Sequence, residues 1–321
     1  MIRVAFNNIV LHPGAEDGRK YMSRGLDGYI EAAHDLGFAA FQAQAGGVAF
    51  LGIPESFGKQ DVRRIRETLE ARGMEMHLHH HGVDCNPDVF EFARKGPVYH
   101  RFRNYLKAAI SFLRDTGGTV LTFHVPFADA AVKPYEVPID PESRRQCIRA
   151  YGELMRELGV LAEKVDVKLG IESAVWGPPR GPWTGPFLTP EELDEFVRSP
   201  GMPESVGILA EISHLHHMSY DIPALIRMWG SKVYDVHTSD AIKHRWSDKK
   251  NYNEVLVPET HHVIGQGTID FRGAIGALHE IGYDGTLSLE IFAQHIESLA
   301  DSIASREILE RIIAQVSAPT G

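Results

Sequence analysis

Cysteine is nearly missing: the 321-residue chain has two, Cys85 and Cys147. They are far apart and match no zinc spacing or disulfide framework, so both read as ordinary thiols of a reducing compartment. No apolar run approaches the ~20 residues that a membrane helix needs. The N-terminal MIRVAFNNIV lacks the basic, apolar and cleavage-site order of a leader, and a cytoplasmic chain is expected. Positive charge is also short, with 33 Lys and Arg against 43 Asp and Glu and a formal charge of −10. Phosphate recognition needs a basic face, which argues against nucleic acid or an acidic membrane as the general partner. Short repeats and low-complexity tracts are missing too.

What is present is an ordinary globular composition, 43% hydrophobic and 24% charged. Strand-like and helix-like segments alternate from end to end, the pattern of a parallel sheet wrapped by helices. The strands read as 3–10, 39–44, 75–80, 119–125, 168–173, 207–213, 233–239 and 287–292. Most are short apolar runs, as doubly covered strands should be. Between them, apolar residues recur at helical spacing, as in Val62, Ile65 and Leu69. Thr189-Pro190-Glu191-Glu192 supplies an N-cap hydroxyl, a proline at the first helical position and a glutamate three residues after the cap. Glycines stop several helices, at Gly37, Gly73, Gly117 and Gly282, and the last helix runs over about 298–316. The expected fold is α/β, a (β/α)₈ TIM barrel over residues 1–321 as one domain. Long connections at 82–97, 176–188 and 241–267 follow strands, on the face where such barrels place catalysis.

Histidine is abundant, 17 residues, many near strand ends, the first hint of metal. Strands five to eight each end in a potential ligand: Glu172 in GIES, Glu211 in LAEISH, His237 in DVHTSD and Glu290 in LSLEI. Adjacent strands of a barrel bring such tips to one point without sequence proximity. Three converging carboxylates repel one another unless a cation neutralises them, and an imidazole completes a mixed shell suited to Mn²⁺ first, with Co²⁺, Mg²⁺ or Zn²⁺ as alternatives. A lone glutamate closing a buried strand is more often a salt-bridge partner, and a lone histidine is usually packing. Four together favour the metal. Trp176 and Trp183, in the loop after strand five, can stack on a sugar ring or simply pack the loop.

The motifs IES, EISH, VHTSD, IGQG and LSLEIF, over about residues 168–295, resemble those of the xylose isomerase-like sugar isomerases and epimerases. The resemblance implies that Glu172 and Glu290 both bind metal and act as the acid and base pair. It implies too that His237 is the strand-seven ligand and that His214 contacts substrate oxygens. Glu211 departs from the family, whose ligand there is usually aspartate, and one extra methylene shifts the carboxylate. The arginine that often follows the strand-seven motif has two counterparts, Lys243 and Arg245. His124, His80 and His261 complete the expected substrate-facing set.

A divalent ion chelating a carbonyl and its neighbouring hydroxyl acidifies the C–H between them, and one carboxylate can remove that proton while the other returns it. Return to the opposite face is epimerisation, return to the neighbouring carbon is isomerisation, and loss of a β-hydroxyl is dehydration. The partner is a small sugar, cyclitol or glycoside, and a homo-oligomer is expected. Three other readings share the metal motifs. One is a lyase on an oxidised glycoside, resembling the barrel subunit of C-glycoside deglycosidases and needing a second subunit. Another is a multi-zinc phosphodiesterase of the endonuclease IV type, in which His79 or His80, His124, Glu259 and His261 would be further ligands. The last is a non-catalytic metal-binding barrel. His79 and His80 face opposite sides of their strand by the two-residue period, so at most one enters the site.

Overall fold

The computed structural model describes residues 1–11, 18–45, 57–80, 89–126, 140–172, 187, 189–242 and 260–318. Eight strands appear in it: β1 (Arg3–Asn7), β2 (Ala40–Ala45), β3 (Glu75–His80), β4 (Val120–Phe123), β5 (Lys168–Glu172), β6 (Val206–Glu211), β7 (Val233–Thr238) and β8 (Thr286–Leu289). They close into a barrel in chain order, every pairing parallel, with β8 returning to β1 through Val4 opposite Leu287. The helices are α1 (Arg19–Met22), α2 (Gly25–Asp35), α3 (Lys59–Arg72), α4 (Val89–Ala93), α5 (Pro97–Thr116), α6 (Pro141–Glu163), α7 (Pro190–Val197), α8 (Ile212–His217), α9 (Ile222–Trp229), α10 (Phe271–Glu280) and α11 (Leu299–Ser317). The (β/α)₈ barrel read from the sequence is therefore the observed architecture.

Local signals fix the helix ends. Thr189 caps α7 by accepting from the Glu192 N–H at 3.3 Å, with Pro190 at the first position. Helices α3 and α5 close on Gly73 and Gly117 at φ +61° and +82°, a left-handed turn that a side chain would strain. Among the described residues no helix is long and apolar enough to cross a membrane.

Alternate residues of each strand divide the work. The outward set, including Phe6, Phe41, Leu78, Phe123, Ile171, Ile208, Val236 and Leu289, packs against helix residues such as Leu106, Leu154 and Trp229 in one buried apolar layer. Truncating such a leucine to alanine costs about 2–5 kcal/mol. The inward set is polar, unlike the branched aliphatic filling usual for such barrels. Polar side chains meet inside the barrel, two of the bonds joining strands that are not neighbours, β2 to β7 and β2 to the end of β8. Gln42 Nε2 donates to Asp235 Oδ2 (2.8 Å), Thr286 Oγ1 to Asp235 Oδ1 (2.9 Å), and Gln44 Nε2 to Glu290 Oε1 (2.8 Å).

Strands β1, β4, β6 and β8 end two or three residues earlier than the sequence suggests, and polar side chains explain β1 and β6. Asn7 accepts from the Ile9 N–H at 3.0 Å and turns the chain out of β1. Glu211 accepts from the Ser213 N–H at 3.0 Å, which ends β6 and starts α8. Such local side-chain bonds compete with the sheet ladder. Strand β8 stops at Leu289, so Glu290 stands just past it.

Near the amino ends of the strands, His77 lies between two carboxylates, with Nε2 at 3.1 Å from Glu75 and Nδ1 at 3.4 Å from Asp235. Burial pushes its pKa down, but Asp235 and then Glu75 outweigh this and raise it to about 9. A folded-state pKa above the ordinary value stabilises the fold fully below that value, and the gain is lost as pH rises through about 9. Urea unfolding should therefore show a loss on the order of 3 kcal/mol between pH 7 and 10. A His77→Asn variant should lose most of that slope; an equal slope in both proteins would place the alkaline sensitivity elsewhere.

Candidate metal centre

The carboxyl ends of β5 to β8 converge as their sequence positions suggest. Glu172, Glu211, His237 and Glu290 are all buried there. His237 Nδ1 sits between two carboxylates, 2.9 Å from Glu290 Oε2 and 3.2 Å from Glu211 Oε2. Glu172 approaches from the other side, with Oε2 at 2.5 Å from His124 Nε2 and 3.9 Å from His79 Nε2, and Oε1 at 3.5 Å from His214 Nδ1. Among the described residues the cationic groups facing Glu172 and Glu290 are imidazoles alone.

Charge follows from these contacts. Burial pushes the Glu172 carboxyl up, but His124 and His214 beside it hold it well below the usual range. Glu290 behaves likewise, burial being overcome by His237. Burial pulls His237 down, yet Glu290 and Glu211 raise it well above an ordinary imidazole. His79 goes the other way, held well below its usual value by burial and then by His237, so it is a neutral imidazole with a lone pair to offer.

The donors fall into three groups in which one atom per residue lies within 4.8 Å of the others: His79, His124 and Glu172; His79, His237 and Glu290; and Glu211, His214 and His261. The four strand-end ligands thus do not form one tight set by themselves; histidines join them. Three buried carboxylates interleaved with imidazoles are the donor chemistry of a divalent ion, and the residues present fit one.

The VHTSD and IGQG motifs prove to be two halves of one clasp. Asp240 accepts from the backbone N–H of Gly265 (2.8 Å) and Ile269 (3.2 Å), and its own backbone exchanges two 2.9 Å bonds with His262. Gly267 is obligatory, because an added Cβ would stand 2.3 Å from Asp240 Oδ1 and 2.4 Å from the Ala241 carbonyl. The clasp carries His261 into the site in the left-handed region, φ +58°. Its Nδ1 donates to the Glu290 carbonyl at 2.9 Å, and its Nε2 faces His214 Nε2 at 2.8 Å.

His214, His124 and His261 therefore reach this centre. His80 does not: its ring packs outward, 3.9 Å from that of Tyr105 and 5.6 Å from that of Phe102, in the helix layer. By the strand's alternation the inward place belongs to His79, whose Nδ1 is 2.8 Å from Thr122 Oγ1. Trp176, Lys243, Arg245, Trp183 and Glu259 lie outside the described residues. The sequence reading missed Gln44, bonded to Glu290; the signal was the polar alternation of AFQAQA in β2.

The barrel and its ring of carboxylates and imidazoles define a class of (β/α)₈ proteins built round a strand-end polar centre. Residues 30–312 match the xylose isomerase-like TIM barrel family, and the chain belongs to it. The inosose isomerase of Bacillus subtilis strain 168 is 28% identical over 140 residues, covering 44% of this chain and 45% of that enzyme. That of Bacillus velezensis is 27% identical over 144 residues, covering 45% and 46%. The chain thus spans about half the length of the curated relatives it matches. Among solved structures, a D-tagatose 3-epimerase-like protein has a TM-score of 0.69 at 20% identity over 98% of both chains. The IOLI protein with a bound zinc atom has a TM-score of 0.70 at 16% identity, covering 99% of this chain and 100% of that one. These structures share the fold.

Chelator treatment followed by Mn²⁺ or Zn²⁺ at a hundredfold excess over Kd should stabilise the protein by about 2.7 kcal/mol, read as a rise in Tm. Glu211→Gln should remove that response, read against the Tm of the same variant without metal, because the amide keeps an oxygen for the Ser213 N–H and offers no anionic ligand. An unchanged response in this variant would take Glu211 out of the ligand set.

Proposed function

We propose that this protein is a sugar or cyclitol isomerase or epimerase working with one divalent metal ion, Mn²⁺ the first choice. The observation that carries the reading is the pair Glu172 and Glu290, both buried, both held as carboxylates, on strands three apart round the ring. The family and the inosose isomerase and ketose 3-epimerase relatives support it.

Glu172, Glu211, His237 and Glu290 would hold the ion, which when bound supplies Lewis-acid polarisation of a carbonyl and its neighbouring hydroxyl. Glu172, kept ionised by His124, would accept the proton from the acidified C–H, and Glu290, three strands round the ring, would return one. His214, whose Nδ1 faces Glu172, would bind a substrate oxygen. Gln44 orients Glu290 by donating to its second oxygen. The barrel interior excludes water, which strengthens each of these interactions.

The test is deuterium incorporation from D₂O into ketoses and inososes with Mn²⁺ supplied. Glu172→Gln and Glu290→Gln should each lower exchange by about 10²- to 10⁴-fold while keeping a native-like melting curve. Full exchange in either variant would sink the acid and base assignment.

The three donor groups favour one second reading, a multi-ion phosphodiesterase of the endonuclease IV type. Metal analysis after dialysis separates the two. About one ion per chain with carbon–deuterium exchange supports the first, whereas two or more ions with cleavage of a phosphodiester and no exchange supports the second.

A further inference from the structure

We propose that Asn8 and Gln44, at the carboxyl ends of β1 and β2, form a subsite for a neutral substrate hydroxyl beside Glu290; this rests on the sugar or cyclitol reading. Both side chains are buried, Gln44 fully and Asn8 to within 1%. Their amide orientations are set by partners that leave no choice. The Gln44 backbone N–H can only donate, and it donates to Asn8 Oδ1 at 2.5 Å. The Glu290 carboxylate can only accept, and it accepts from Gln44 Nε2 at 2.8 Å. What remains is one donor, Asn8 Nδ2, and one acceptor, Gln44 Oε1, neither with a hydrogen-bond partner among the described residues.

Among those residues they are the only buried amide atoms left open. A lower level of the same two strands shows the contrast. There Asn7 Nδ2 donates to Gln42 Oε1 at 2.7 Å, and Gln42 Nε2 to Asp235 at 2.8 Å, so the amides pair with each other and close the network. An open buried donor or acceptor costs about 1–3 kcal/mol. A fold that needed only stability would have closed the upper pair as it closed the lower one.

The open pair selects its ligand. A hydroxyl donates and accepts at once, the two roles that these atoms leave unfilled. Phosphate and carboxylate offer no proton to Gln44 Oε1 and would lie against the Glu290 carboxylate. Ammonium offers no lone pair to Asn8 Nδ2. A neutral polyol is the class that fits, with one hydroxyl on the amides and a reacting carbon near Glu290, to which Gln44 is bonded.

Asn8→Asp is the discriminating variant, because it keeps Oδ1 for the Gln44 N–H and replaces the amide donor with an oxygen. Galactitol, allitol and myo-inositol, which have no carbonyl and cannot turn over, serve as calorimetric probes on the full-length, Mn²⁺-loaded protein. D-tagatose, D-allulose and scyllo-inosose serve as the exchange substrates. Wild type should bind at least one alcohol, and Asn8→Asp should weaken that binding about tenfold or more, with the matching loss in exchange falling chiefly on KM. Equal affinity in the two proteins, or no alcohol bound by wild type, overturns the subsite. Should the aspartate variant fail to fold, Asn8→Ser, which keeps an oxygen acceptor and drops the amide, gives the same readout. Alcohol binding that depends on Asn8 without any deuterium exchange would retain the subsite and reject isomerase chemistry. Exchange with KM untouched by the variant would do the reverse.

Discussion

Five carboxylates line this barrel's interior, Glu75 and Asp235 in its lower half and Glu172, Glu211 and Glu290 at its upper rim, and each of them faces an imidazole. A buried carboxylate without a counter-charge is among the most costly groups a fold can hold, because low-dielectric surroundings replace its hydration shell. Arginine and lysine stems would need more room than the interior gives, whereas an imidazole is compact and can stand charged, as His77 does, or neutral, as His79 does. His77, His79, His124, His214, His237 and His261 are thus a consequence of the polar interior. Once the interior is given over to charge, stability has to come from the outward faces of the strands and the helices that cover them.

Much of that division was legible in the sequence. Apolar runs alternating with helical periodicity gave eight strands in the right order, and the Thr189 cap lies where its motif places it. The strand-end glutamates and His237 could be named because carboxylate at the tip of an apolar strand is a local signal. His79 could not be chosen over His80 from local pattern alone, since two adjacent histidines differ only in register, and a slip of one residue exchanges the faces of the whole strand. Reading Glu75, His77 and His79 as one alternating inward set would have decided it. The strand ends at Asn7 and Glu211 were overrun because their side chains bond to nearby backbone, a competition that hydrophobic periodicity does not register.

The amides escaped for a different reason. Gln44 and Glu290 are 246 residues apart in sequence and meet only because β2 and β8 flank β1 in the closed ring. Amide side chains carry no metal or acid–base signature, so nothing local distinguishes a glutamine that orients a carboxylate from one that fills space. Closure of the barrel supplies the missing information. It also explains why Asp240 and the IGQG turn, separate motifs in the sequence, act as one unit that holds His261 against the rim.

The interior is graded along the barrel axis. In the lower half the chain from Asn7 through Gln42 and Asp235 to His77 and Glu75 spends each hydrogen-bonding atom on another protein group, which locks strand register from inside. In the upper half carboxylates crowd together, His261 is held in a left-handed conformation, and two amide atoms stay open among the described residues. Each of these features costs on the order of 1–3 kcal/mol, an amount the apolar outer layer can carry and the closed lower half prevents from spreading. Strain confined to one end of a rigid barrel can persist there, whereas the same groups spread along the axis would loosen the register that positions them. The site therefore depends on the lower half as much as on the residues at the rim.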